Sequence, residues 1–283
     1  MKSLIPLALV VSLSGSAIAQ APGQMRVGVC LEAARFEAAQ AAGFDYVEIG
    51  ASRVAALSEE EFQKLTADVK RLRIPVAAAN GFIPGTIELV GPEIDKSAQE
   101  AYVAKTLRRL KTLGVSTVVF GSGAARRVPD GFSRDEAFGQ LVDFCRRIAP
   151  LARDNAITIV IEPLRKQETN IINSAKEGLR LVKAVDRPEI KLLVDYYHLS
   201  EEAESPDILL EAGATIAHIH VANPKGRVYP LSADESDYGR FFRNLCAIGY
   251  KGGVSVEAST KNFEAEAPVA IAMLRKGLAC GAR

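Results

Sequence analysis

Four apolar runs in the second half of the chain each end in ionisable side chains. The first, second and fourth runs end at Glu162, Asp195 and Glu257, and the third carries His218 and His220. Burying three carboxylates together is unfavourable, because each loses hydration and repels the others, and a divalent cation offsets that repulsion. Carboxylate oxygens with an imidazole nitrogen suit Mn²⁺ or Mg²⁺, with Co²⁺ or Zn²⁺ as further candidates. The pattern predicts one divalent-metal site.

The position of each residue within its run decides which side chains share a face. Side chains alternate along a strand, so Glu162 shares a face with Val160, and Glu257 shares one with Ser255. If these faces point to the axis of a barrel, the ionisable groups converge at one level. All three histidines of the chain lie in this same region. Isolated solvated charges do not explain such clustering.

Short β-rich runs alternate with stretches of helical periodicity along the chain, and these elements must position the ionisable groups. The eight β-rich runs are 25–31, 44–51, 74–80, 116–122, 157–164, 190–198, 215–223 and 252–259. Residues 58–72 and 97–113 are examples of the helical stretches. Eight β-then-α units predict an α/β fold, a single-domain (β/α)₈ barrel. An open doubly wound sheet, the alternative, would carry a glycine-rich turn after its first strand, and residues 27–35 have none.

Length and charge restrict the class of partner. The 283 residues fit one barrel domain, since such barrels run to about 250 residues. The net charge is +1, without a basic or an acidic tail, so no long-range field favours nucleic acid or an anionic membrane. We therefore expect a small-molecule partner.

The first 19 residues have the pattern of a signal peptide. Lys2 supplies the positive charge, residues 4–13 form an apolar run, and small residues at Ala17 and Ala19 mark the cleavage point. The run is shorter than the roughly 20 residues that span a membrane. We expect cleavage after Ala19, a mature barrel domain at 20–283, and a periplasmic or secreted protein without a membrane anchor.

The four cysteines, Cys30, Cys145, Cys246 and Cys280, form no Cys-x-x-Cys motif. An exported chain can oxidise a pair, but a chain of this size does not need one. We therefore interpret the cysteines as small buried apolar side chains.

Two weaker patterns remain open. Glu48 and Asn80 end the second and third β-rich runs, where they either line the mouth of the pocket or are ordinary loop polarity. The glycine-rich segment at 121–123, with Arg126 and Arg127, could cradle a phosphate, although a surface loop is the favoured interpretation.

Several short segments together resemble the xylose isomerase-like TIM barrel family of sugar phosphate isomerases and epimerases. The similarity is to the branch with hydroxypyruvate isomerase and the ketose 3-epimerases, and it covers essentially the mature chain. The segments that carry it are 161–164 (IEPL) with Glu168, 194–198 (VDYYH), 218–221 (HIHV), Arg227, 237–238 (DY), 248–250 (IGY) and 256–257 (VE).

The resemblance implies which residues bind the metal and move the proton. The implied metal ligands are Glu162, Asp195, His220 and Glu257. Glu162 and Glu257 are also the implied acid/base pair, in which one removes a proton from the carbon next to a carbonyl and the other returns it, through an enediolate. The metal would stabilise the charge of that enediolate.

The resemblance also implies a substrate shell. Glu168, His198 and Arg227 would hold the hydroxyl and carbonyl groups of a small sugar or keto-hydroxy compound. His218 either lines the site or is a satisfied histidine of the barrel core. Barrels of this family often form homodimers, so a dimer is also compatible with the resemblance.

We therefore expect a metal-dependent sugar isomerase or epimerase. The alternative is an exported lyase or hydrolase that acts on an oxidised keto-glycoside by the same enolisation. An apurinic endonuclease, a relative in the superfamily, needs several metals and more histidines, and the neutral charge disfavours it. A non-catalytic sugar-binding module would not need an intact pair of glutamates at the metal.

Overall fold

The computed structural model describes residues 25–280, and in this part of the chain eight parallel strands close into a barrel in sequence order. The strands are β1 (Arg26–Cys30), β2 (Tyr46–Gly50), β3 (Val76–Asn80), β4 (Thr117–Phe120), β5 (Thr158–Ile161), β6 (Ile190–Asp195), β7 (Ile216–Val221) and β8 (Gly253–Val256). Each predicted run contains one of them, and β1 pairs with β8 to close the barrel. The predicted (β/α)₈ barrel is confirmed, and the open doubly wound sheet is excluded.

Helices connect the strands and cover the outside of the barrel. They are α1 (Phe36–Ala42), α2 (Ala51–Ala56), α3 (Glu59–Arg71), α4 (Lys96–Thr112), α5 (Arg134–Asp154), α6 (Ala175–Val185), α7 (Tyr196–Glu201), α8 (Ile208–Ala212), α9 (Tyr238–Ala247) and α10 (Phe263–Gly277). Helices α3 and α4 confirm the two predicted stretches. Helix α3 begins where it does because Ser58 and Glu61 cap each other's backbone amides. No helix within residues 25–280 is both long and apolar enough to cross a membrane.

Tyr46 fills the lower level of the barrel interior next to two glycines. A Cβ atom on Gly28 or Gly253 would collide with the side chain of Tyr46. The Tyr46 hydroxyl is hydrogen-bonded to Ser255 Oγ at 2.8 Å. Two glycines are therefore needed at this level so that one large side chain can plug the barrel beneath the polar residues at the carboxyl ends of the strands.

The sixth strand ends earlier than its β-rich run. Residues 196–198 were expected to continue the strand, but they form the first turn of α7. The cause is local, since Asp195 Oδ1 accepts a hydrogen bond from the Tyr197 backbone amide at 2.8 Å and so caps a helix. His198 consequently lies on a helix above the barrel and not on a strand.

The interpretation of the cysteines as unpaired apolar side chains is wrong for two of them. Cys246 at the end of α9 and Cys280 just after α10 form a disulfide. Cys145 is free and buried, as expected, and Cys30 is free and partly buried. The predicted signal peptide, residues 1–19, lies outside the residues that the structure describes.

Candidate metal and acid/base site

The four residues expected to bind metal lie together at the carboxyl ends of four consecutive strands. They are Glu162, Asp195, His220 and Glu257, and one ligand atom from each lies within 4.8 Å of the others. Adjacent strands set this arrangement, because Asp195 pairs in register with His220. Active sites of this architecture lie at this end of the barrel. The structure thus brings the four side chains to one point.

Glu162 is fixed by its neighbours on the preceding strand and loop. Its backbone amide donates to Phe120 O at 3.1 Å, and Arg126 Nη2 donates to its carbonyl at 2.9 Å. A Cβ atom on Gly121 would lie 2.4 Å from Glu162 Oε2. The absence of a side chain at Gly121 is therefore what gives this carboxylate its place.

His220 is completely buried between the ligand cluster and the carboxylate of Glu48. Its Nδ1 faces the cluster, 3.0 Å from Glu162 Oε1 and 3.3 Å from Glu257 Oε2. Its Nε2 is hydrogen-bonded to Glu48 Oε1 at 3.0 Å. Burial opposes its protonation, but Glu48 and Glu257 together raise the pKa of His220 well above its usual value. A carboxylate behind a histidine of this kind orients the ring and makes it a stronger ligand.

His218 belongs to the barrel core and does not line the site. It is 2% exposed, and its Nε2 lies 2.9 Å from Glu48 Oε2 and 3.2 Å from Ser255 Oγ. Burial lowers the pKa of this imidazole, against the opposing charge of Glu48. Of the two roles left open for His218, the structure supports the satisfied core histidine.

Asp195 carries the clearest sign of a missing partner. Its Oδ1 is used by the α7 cap, whereas its buried Oδ2 accepts no hydrogen bond from the described residues. Burial, followed by the charge of Glu257, raises the pKa of Asp195 to about 7. This oxygen lies 3.7 Å from Arg227 Nη2, and an oxygen that accepts no hydrogen bond and faces two other carboxylates is suited to a cation. The donor set therefore fits a divalent metal ion.

The other two carboxylates differ in their environments. Burial, and then Glu257, raise the pKa of Glu162. Burial disfavours the charged form of Glu257 as well, but His220 and Arg227 lower its pKa to about 2. Glu257 also accepts a hydrogen bond from Asn80 Nδ2 at 3.0 Å. A bound cation would favour the ionised form of both glutamates.

Arg227 covers the cluster from a tight turn after β7. It holds a left-handed backbone conformation, with φ of 51°, and its carbonyl accepts from the Ser259 amide at 2.9 Å. Its Nη2 donates to Glu257 Oε2 at 2.5 Å, and its Nη1 donates to Glu168 Oε1 at 3.4 Å. Its guanidinium also lies over the Tyr197 ring. Non-glycine residues in this conformation are concentrated at functional sites.

His198 offers one donor to the site. Its Nδ1 accepts from the Arg165 amide at 3.2 Å, which leaves the ring proton on Nε2 when the ring is neutral. Burial, and then Arg227, lower the pKa of His198 to about 3, so the ring is neutral at physiological pH. Nε2 has no hydrogen-bond partner among the described residues and lies 3.5 Å from Asp195 Oδ2. An unpaired donor here can bind a substrate oxygen.

The weaker sequence patterns have different outcomes. Glu48 is buried below the cluster, and Asn80 contacts Glu257, so both belong to the site. The favoured surface-loop interpretation is wrong for Arg126, which is fully buried and donates to backbone carbonyls. Arg127 is exposed, as the surface-loop interpretation expects, and donates to Glu168 O at 2.8 Å. Neither arginine is arranged as a phosphate cradle.

Comparisons with known proteins agree with this architecture. A model of the xylose isomerase-like TIM barrel family matches residues 36–277. D-psicose 3-epimerase from Agrobacterium fabrum is 27% identical over 226 residues, which are 77% of this chain and 76% of that protein. 3-Dehydro-D-guloside 4-epimerase from Escherichia coli is 23% identical over 224 residues, which are 76% of this chain and 82% of that protein.

A solved structure extends the similarity to three dimensions. The crystal structure of D-psicose 3-epimerase with D-tagatose from Clostridium cellulolyticum H10 is similar to this chain, with a TM-score of 0.79 and 23% sequence identity. The similarity covers 90% of this chain and all of that chain. At this identity the comparison shows a shared fold.

Proposed function

The chain belongs to the xylose isomerase-like TIM barrel family, and we propose that it is a metal-dependent sugar epimerase or isomerase. The observation that carries this proposal is the convergence of Glu162, Asp195, His220 and Glu257 within 4.8 Å. Two similar proteins, D-psicose 3-epimerase and 3-dehydro-D-guloside 4-epimerase, are named as sugar epimerases. A divalent ion held by these four residues, with Mn²⁺ or Mg²⁺ as the favoured metal, would polarise the carbonyl and lower the barrier to enolisation.

In the proposed reaction the two glutamates exchange protons with carbon. One takes the proton from the carbon next to the carbonyl, and the other returns a proton to the opposite face or to the neighbouring carbon. Glu162 Oε1 and Glu257 Oε2 both lie beside His220 Nδ1, while Glu162 Oε2 and Glu257 Oε1 lie beside Gly121 and Asn80. The two bases thus approach from different sides of the barrel.

The substrate oxygens have donors above the bases. His198 Nε2 is a neutral donor, and the Arg227 guanidinium is a charged one. Burial opposes the charge of Arg227, but Glu257 and Asp195 raise its pKa, so it stays protonated. In our proposal both hold the carbonyl and the adjacent hydroxyl, with Glu168 accepting from a further hydroxyl.

Deuterium wash-in tests the proposal directly. The protein with added Mn²⁺ should incorporate deuterium from D₂O next to the carbonyl of at least one member of a panel of ketoses and keto-glycosides. Chelation should stop exchange.

Glu162→Gln and Glu257→Gln should each lower turnover by about 10²–10⁴-fold, because each loses a general base. Glu211→Gln, an exposed carboxylate on α8, is the control. Glutamine variants with normal turnover and full metal occupancy would exclude the enolisation mechanism.

The second candidate is an exported lyase or hydrolase on a keto-glycoside, and one comparison supports its substrate class. The Escherichia coli relative is named for a keto-glycoside. After loss of the proton, the bond between the anomeric carbon and the leaving oxygen would break, and the oxygen would take up a proton. Release of the free alcohol in step with deuterium exchange would identify this reaction, and exchange without release would identify epimerisation.

A further inference from the structure

A cavity lies beside the ligand cluster, between the ends of β1 and β2 and helix α3. Its volume is about 540 Å³. Cys30, Glu48 and Asn80 line its inner end. The four ligand residues do not line the cavity, but Glu48 contacts His220 and Asn80 contacts Glu257, so the inner end of the cavity adjoins the site. A molecule whose reactive carbon lies at the glutamates can extend into it.

The middle of the cavity is aliphatic. The apolar side chains that line it are Leu31, Ile49, Val54, Leu57 and Leu65. No aromatic ring is present among its described lining residues. A second sugar ring would bring hydroxyl groups against these carbons, and a buried hydroxyl without a partner is costly. An apolar ring would instead be favoured by burial.

The outer rim of the cavity carries balanced charge. Three acidic and three basic side chains line it, namely Glu32, Glu61, Asp68, Arg35, Arg53 and Lys64. An ion pair between Glu32 and Arg53 joins the segment after β1 to helix α2. Because the charges balance, the rim has no preference for a charged group. The occupant is therefore expected to be neutral.

We propose that this cavity binds a neutral, apolar ring attached to the reacting sugar. The substrate is then the glycoside of a keto-sugar with an apolar aglycone and not a free ketose. This inference rests on the proposed function, which supplies the sugar at the glutamates. A free six-carbon sugar held there would leave most of the cavity to water, whereas specific pockets bury most of the surface of their ligands.

A matched pair of substrates tests the inference. Deuterium exchange with Mn²⁺ is measured on phenyl and methyl 3-keto-glucoside and on D-fructose, and binding of both glycosides is measured by isothermal titration. We expect the phenyl glycoside to have a Michaelis constant at least about tenfold below that of the methyl glycoside, because only the phenyl ring reaches the aliphatic walls.

Two neighbouring alanines provide the variant and its control. Ala33 is exposed and lines the cavity, while Ala34 is exposed and does not. Ala33→Trp should fill the cavity and remove the tenfold advantage of the phenyl glycoside, with the methyl glycoside unchanged. Ala34→Trp should change neither.

The possible results distinguish a failure of this inference from a failure of the proposed function. Exchange with equal Michaelis constants for phenyl and methyl glycosides, or an advantage that survives Ala33→Trp, would overturn the inference and leave the proposed function intact. Exchange on D-fructose alone would also overturn the inference and leave the proposed function intact. Absence of exchange on these three sugars would overturn the inference, and absence of exchange on the whole panel of ketoses and keto-glycosides would overturn the proposed function as well.

Discussion

At the scale of single residues, Glu48 connects the metal cluster to the barrel core. One carboxylate oxygen lies 3.0 Å from His220 Nε2, and the other lies 2.9 Å from His218 Nε2 and accepts from Ser255 Oγ at 2.7 Å. Burial disfavours its charge, but the two histidines lower the pKa of Glu48 far below its usual value. A carboxylate that stays ionised inside the barrel thus fixes the orientation of the imidazole that faces the site.

Glu48→Gln should weaken metal binding by about 10–100-fold, as loss of the partner behind a ligating histidine does. A glutamine amide presents one acceptor and one donor group, so it cannot accept from both imidazoles. Metal binding at neutral pH should also release fewer protons, because the metal-free imidazole of His220 loses a cause of its raised pKa. Isothermal titration with Mn²⁺ in two buffers of different ionisation enthalpy measures both quantities.

The control for this change is Glu37→Gln, an exposed carboxylate on α1. Unchanged affinity and proton release in the Glu48 variant would show that His220 does not depend on Glu48, and that Nε2 is held by other contacts.

Gly121→Ala should lower turnover by more than about tenfold with little loss of folding. The new Cβ atom would lie 2.4 Å from Glu162 Oε2, so the carboxylate must move, and small displacements of catalytic groups are costly. Gly139→Ala is the matched control, because a Cβ atom there meets nothing within 4 Å. Circular dichroism and the exchange assay give the two readouts. Equal turnover in both variants would contradict a close-packed Glu162.

Strand parity predicted which ionisable side chains come together, but not how they are connected. Glu162 and Glu257 follow apolar runs at positions whose alternation already indicates the shared inward face. The role of Glu48 depends on a contact across the barrel between β2 and β7, which are not neighbours. No local pattern encodes such a contact. Aspartate is also a preferred residue at a helix N-cap, and the side chain of Asp195 does cap the helix that carries His198.

At the scale of elements, the disulfide joins the ends of two neighbouring helices. Cys246 lies in the last turn of α9, and Cys280 follows α10 near the end of the described chain. The bond holds the last helix of the barrel against its neighbour. The spacing of 34 residues between the two cysteines does not predict this pairing. The closed barrel decides which cysteines lie close enough to form a bond.

The double variant Cys246→Ser/Cys280→Ser should unfold more easily than the native protein. Closing a loop of this length restricts the unfolded chain and contributes about 3–4 kcal/mol to the free energy of unfolding. Denaturant titration with and without a reducing agent measures the effect. The reducing agent should destabilise the native protein and leave the double variant unchanged. If the native protein and the double variant are equally stable without the reducing agent, the bond adds nothing to the stability of the fold.

At the scale of the whole molecule, two independent features support a proposal on the location of the protein. Residues 1–19 have the pattern of a cleaved signal peptide, and the described barrel contains a disulfide. Disulfides persist in oxidising compartments and are rare where thiols are kept reduced. We therefore propose that the mature protein works outside the cytoplasm, where its substrate would be taken from the surroundings of the cell.

Fractionation of the native host tests this proposal. We expect the protein in the periplasmic or secreted fraction, with Gln20 as its first residue and with the Cys246–Cys280 bond formed, as shown by N-terminal sequencing and thiol labelling before and after reduction. Ala19→Arg should block cleavage, because signal peptidase requires a small residue there, whereas Gln24→Arg should not. A native protein that begins at Met1, is found in the cytoplasm and labels at all four cysteines would refute export. The disulfide would then have no compartment in which to persist.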